Sequence, residues 1–131
     1  MIGIFPPFLD PDRQTIPDLL NGSNIAGNEF AKNMLRWLPV GSVDLFVHES
    51  RVDMSKRSLA RFDENEGGNY RSARVWDIKA MPSVLRSQTF MALHTIKGPW
   101  LNQLSYIRSQ FADRLFPITC LTHGFSYQDA L

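Results

Sequence analysis

Phe116-Pro-Ile-Thr-Cys-Leu-Thr-His-Gly-Phe-Ser-Tyr127 reads as a buried strand that runs into a polar turn. Threonines and a cysteine set among large apolar side chains suit a strand covered on both faces. In open α/β sheets the ligand sits at such strand ends. Gln128-Asp129-Ala130-Leu131 then reads as the opening of another helix. The chain is therefore expected to be the front of a larger α/β protein, with residues 1–131 forming a single domain.

Upstream lies the clearest helix in the sequence. Pro99 suits a first helical position, where its missing amide costs nothing. Trp100, Leu104, Ile107, Phe111 and Leu115 recur at helical spacing as one apolar stripe, which must cover a sheet. Phe90-Met-Ala-Leu-His94 before it is expected to be a strand. Ala73-Arg-Val-Trp-Asp-Ile78 is another, and its alternating charges suit an edge position. Val43-Asp-Leu-Phe-Val-His48 is a buried strand, and Ile2 to Phe5, ended by Pro6 and Pro7, is the first.

Between these strands the sequence predicts a helix from about Asn28, carried by Phe30, Met34, Leu35 and Leu38 and halted at Pro39-Val-Gly41. A shorter helix is expected over Met54 to Phe62, a loop over Asp63 to Tyr70, and a helical turn over Met81 to Arg86. The Asp-, Pro- and Gly-rich stretch between the first strand and the first helix predicts a long irregular connection. Each crossover is long enough to return the chain in parallel. The expected fold class is α/β, a Rossmann-like, doubly wound, mainly parallel sheet with helices on both faces.

Composition narrows the function. Hydrophobic residues make up 44% and charged residues 21%, an ordinary globular balance without a transmembrane segment. Fourteen basic and thirteen acidic residues give a formal net charge of +1, which supplies no general attraction to nucleic acid. A single cysteine, Cys120, excludes a disulfide framework and is expected to be packed in its strand. With no signal-peptide pattern at the N-terminus, a cytoplasmic location is expected.

Three features fall at predicted strand-to-loop or strand-to-helix junctions. The first is the glycine-bearing loop Asn21-Gly-Ser-Asn-Ile-Ala-Gly27, whose glycines allow close backbone approach and whose following helix start attracts phosphate. The second and third are His94, before Thr95, and His123, before Gly124. An imidazole there can donate to a phosphate or a sugar hydroxyl and changes charge near neutrality. His48 ends a third strand, but Glu49 and Ser50 suggest a surface turn. None of the histidines has the partner spacing of a metal site, so no metal is expected, and Ser126 lacks a nucleophile elbow, which disfavours a hydrolase.

The run Phe90 to His94, the helix opened by Gly98-Pro99, and Phe116-Pro-Ile-Thr-Cys-Leu-Thr-His-Gly124 together resemble the N-terminal lobe of GT-B glycosyltransferases, the group that includes glycogen-synthase-like enzymes. Gly22 to Gly27 followed by Phe30-Ala-Lys-Asn-Met-Leu-Arg-Trp-Leu38 resembles their glycine-rich loop and first helix. The resemblance implies a transferase that moves a sugar from a nucleotide-sugar donor, a substrate and not a cofactor, to an acceptor in a cleft between two lobes. It implies that His94 and His123 are catalytic, and that Gly22, Ser23, Asn24, Gly27, Thr95 and Gly124 bind donor phosphate or substrate. It also implies a C-terminal lobe of the same protein as partner, without which the fragment is expected to be inactive. Two alternatives stand beside it: a non-catalytic nucleotide- or phosphate-binding regulatory domain, and a flavodoxin-like interaction domain.

Overall fold

Val43–Val47 is buried at every position, as expected of a strand flanked and covered on all sides. Among the described residues it is the second of five strands: β1 (Ile2–Ile4), β2 (Val43–Val47), β3 (Arg74–Asp77), β4 (Ala92–Thr95) and β5 (Ile118–Cys120). All neighbours pair in parallel, in the order β3-β2-β1-β4-β5. The computed structural model describes residues 1–7, 9, 22–96 and 98–120, the side chains of Gly22 and Ser23 excepted.

Two helical layers enclose the sheet. On one face, α1 (Gly22–Trp37) and α2 (Val52–Glu66) pack over Ile4, Val43 and Leu45, with Leu9, Ala31, Leu59, Phe62 and Tyr70 completing the core. On the other, α3 (Met81–Ser87) and α4 (Trp100–Phe111) bring Met81, Val84, Leu85 and Leu104 against Phe5, Phe46, Phe90, Leu93 and Phe116. The architecture is a Rossmann-like, doubly wound α/β fold. Its strand order differs from the flavodoxin-like 2-1-3-4-5.

Several expected boundaries move, each for a local reason. The first helix begins at Gly22 and not near Asn28, so the glycine-bearing segment is helix and not loop from Gly22 onward. Its buried positions Asn24, Gly27, Asn28 and Ala31 fall at helical spacing but are small or polar, and apolar periodicity cannot see such a stripe. The second helix repeats the pattern with buried Ser55, Ser58, Leu59 and Phe62, and it runs on to Glu66, through the first part of the expected loop. Gly67, at φ 70, ends it by donating its amide to the Asp63 carbonyl at 2.9 Å.

The expected stripe of α4 loses its last member. Pro99 sits just outside the helix as its N-cap, and α4 stops at Phe111, where Ala112 turns extended. Leu115, beyond that turn, is 79% exposed. The Arg108 guanidinium donates to the Phe116 carbonyl and ties this turn to the helix. Pro117 has no amide to give, although its carbonyl accepts from Leu93, and β5 starts one residue later. β5 was expected to be covered on both faces, but it borders the described sheet, with Thr119 exposed and Ile118 and Cys120 partly exposed. At the opposite border β3 occupies the edge that its charges suggested.

Candidate functional site

The chain reverses direction across the sheet between β1 and β4. β2 and β3 are added on one side of β1, and β4 and β5 on the other. In open α/β sheets the crevice outside the carboxyl ends of two such strands is where ligands bind. Here those ends are Ile4-Phe5 and His94-Thr95-Ile96. The backbone joins them, since the Phe5 amide donates to the His94 carbonyl at 2.9 Å.

Register places His94 beside Ile4 of β1 and Thr119 of β5, on the face that α1 covers. The Phe30 ring of α1 stacks on the imidazole, with centroids 3.9 Å apart and planes inclined by 22°. Nδ1 lies 2.8 Å from the Thr119 hydroxyl oxygen. The other nitrogen, Nε2, is buried and has no hydrogen-bond partner among the described residues. Burial, which penalises the imidazolium, pushes the His94 pKa down from its ordinary value. At neutral pH the ring is therefore an uncharged hydrogen-bonding group.

Above it, α1 runs back across the sheet with its N-terminus at the carboxyl side. Gly27 touches Ile96, just past β4: a β-carbon there would lie 2.6 Å from Ile96 Cγ2. Gly27 thus serves helix-to-sheet packing and lies inside a helix, not in the expected loop. Asn24, one turn earlier, is buried, and Gly22 and Ser23 form the start of the helix. Thr95 is fully buried. Residues 121–131 lie outside the described region, and with them His123 and Gly124.

On the opposite face of the same rim, Phe5, His48 and Trp100 form an aromatic group. Phe5 meets His48 edge-on at 5.7 Å and Trp100 at 5.3 Å, and His48 lies 6.1 Å from Trp100. His48 is exposed. Among the described residues no group of three His, Cys, Asp or Glu side chains is placed to hold a metal ion, and no helix is long and apolar enough to cross a membrane.

The structure therefore brings His94 together with Phe30 and Thr119, and Gly27 with Ile96. Reading from sequence did not identify Phe30, Ile96 or Thr119 as part of this arrangement. Thr119 was open to recognition, because aligning the strand ends sets it opposite His94. Comparison with protein-family models, with curated proteins and with solved structures returns no match for this chain.

Proposed function

We propose that the chain is the N-terminal, acceptor-side domain of a GT-B-type glycosyltransferase that takes a sugar from a nucleotide-sugar donor. The observation that carries the reading is His94: a neutral, clamped imidazole with a buried, unpartnered nitrogen, at the carboxyl end of a strand flanking the switch point of a parallel sheet. An unsatisfied buried polar atom costs about 1–3 kcal/mol, so its presence at a ligand-binding position suggests a function.

In this reading His94 and His123 line the cleft, with the buried Thr95 next to His94 in β4 and Gly124 next to His123. The start of α1 offers the positive end of the helix dipole to the diphosphate. No acidic residue in its first turn opposes an anion. The domain contributes orientation and stabilisation of leaving-group charge. A second lobe would hold the donor nucleotide.

The test uses the whole gene product and measures turnover of UDP-, GDP- and ADP-sugars. His94→Ala is expected to lower turnover by about 10²-fold or more, with His123→Ala as the parallel test. Turnover within a few-fold of wild type for both variants sinks the assignment of the cleft.

A further inference from the structure

The two nitrogens of His94 have unlike surroundings. Nδ1 is 2.8 Å from Thr119 Oγ1, whereas Nε2 is shut away from solvent with nothing among the described residues to pair with. The ring cannot relieve this by turning freely, because Phe30 stacks on one of its faces at 3.9 Å. With the imidazole neutral, a single proton has to be assigned. The threonine hydroxyl permits either assignment, since it can donate or accept, but it is the acceptor that a protonated Nδ1 uses.

Nε2 decides the assignment. A buried N–H without an acceptor is rarer and more costly than an acceptor left with an unused lone pair. The proton therefore belongs on Nδ1, given to Thr119, and Nε2 carries a bare lone pair. We infer that Thr119 is a positioning residue that holds His94 as the Nδ1–H tautomer, so that Nε2 receives a hydrogen bond from a ligand hydroxyl and does not give one to a phosphate oxygen. The inference rests on the reading of this rim as sugar-handling. It assigns His94 to a sugar hydroxyl and leaves the diphosphate to the start of α1. A lone pair facing a phosphate oxygen would meet another lone pair, which is repulsive.

The tautomer can be read on the 131-residue chain without substrate, so its outcome is separate from that of the transferase reading. Long-range ¹H–¹⁵N correlation spectra near neutral pH distinguish a protonated Nδ1 from a protonated Nε2. The expected result is Nδ1–H in the wild type, retained in Thr119→Ser and shifted toward Nε2–H in Thr119→Val. Inorganic phosphate is expected to leave both His94 nitrogens unmoved. Nε2–H in the wild type, or an unchanged spectrum in Thr119→Val, overturns the role of Thr119. A saturable phosphate-induced shift at Nε2 overturns the choice of hydroxyl as partner. Thr119 is exposed, so neither substitution threatens the core.

Discussion

Gly27 and Ile96 meet so closely that a β-carbon on the glycine would fall 2.6 Å from Cγ2, 3.1 Å from Cδ1 and 3.3 Å from Cβ of the isoleucine. Ile96 is buried, so moving it would disturb its own neighbours. Gly27→Ala should gain about 1 kcal/mol of helix propensity and lose about 1–3 kcal/mol to overpacking. The expected net is a loss of about 1 kcal/mol in urea unfolding. A stabilised variant would show that α1 can lift off β4 at little cost.

His94 makes stability depend on pH. Its folded pKa is depressed by burial, so below the ordinary histidine value the unfolded chain binds the extra proton more readily. Stability should then fall as pH drops from about 6.5. His94→Gln, which stays neutral, should flatten that part of the curve. Phe30→Ala should steepen the loss of order around the ring and cost about 1–2 kcal/mol, since Phe30 is only partly buried.

Asp44 is fully buried on β2, and its Oδ1 accepts from Arg74 Nε at 2.6 Å. Burial raises its pKa, and the Arg74 guanidinium opposes the rise. Arg74→Ala leaves that carboxyl without its cation. The cost at neutral pH should be about 2–3 kcal/mol, below that of a fully enclosed pair because the Arg74 side chain is 41% exposed. A raised carboxyl pKa favours the folded state in acid and loses that advantage as pH climbs through it. The gap between wild type and variant should therefore nearly close below about pH 4 and widen toward neutrality.

Glu66 shows the opposite sign. Lys32 donates to it at 2.5 Å, Arg36 at 2.7 Å and the Tyr70 hydroxyl at 2.9 Å, tying α1 to α2 and to the turn before β3. The hydrogen bond from Lys32 leads the forces that hold its pKa below the usual carboxylate value. Its contribution is present above that usual value and disappears as pH falls through the lowered one. Glu66→Gln should cost about 1 kcal/mol at pH 7 and almost nothing in strong acid. Equal losses at both pH values would count against an ionic origin.

Much of this fold was legible where burial and period coincide. Val43 to Val47 could only be an interior strand, and Trp100, Leu104, Ile107 and Phe111 could only be one face of a helix. Where a helix faces its sheet with small or polar residues, the signal disappears. Asn24, Gly27 and Asn28 have loop-like composition, yet the close approach to Ile96 requires a residue without a β-carbon. Leu115 has the right spacing, but spacing does not register the turn at Ala112. His94 was found from its strand end. Its partners Phe30 and Thr119 come from elements 64 and 25 positions away, a pairing fixed by tertiary register and invisible to local pattern.

The central strand has consequences for how the molecule is made. Ile2 pairs with Val43 on one side and with Ala92 on the other. During synthesis, residues 1–77 can assemble three strands and the α1/α2 layer while half of the first strand's ladder is still open. At ribosomal speeds the second neighbour arrives about 2–10 s after the first. For that interval the nascent chain displays Gly3 and Phe46, the surface later covered by Leu93 and Phe90, as a raw apolar wall. Chaperone capture of ribosome-bound chains should accordingly peak before residue 95 has emerged and fall once it has.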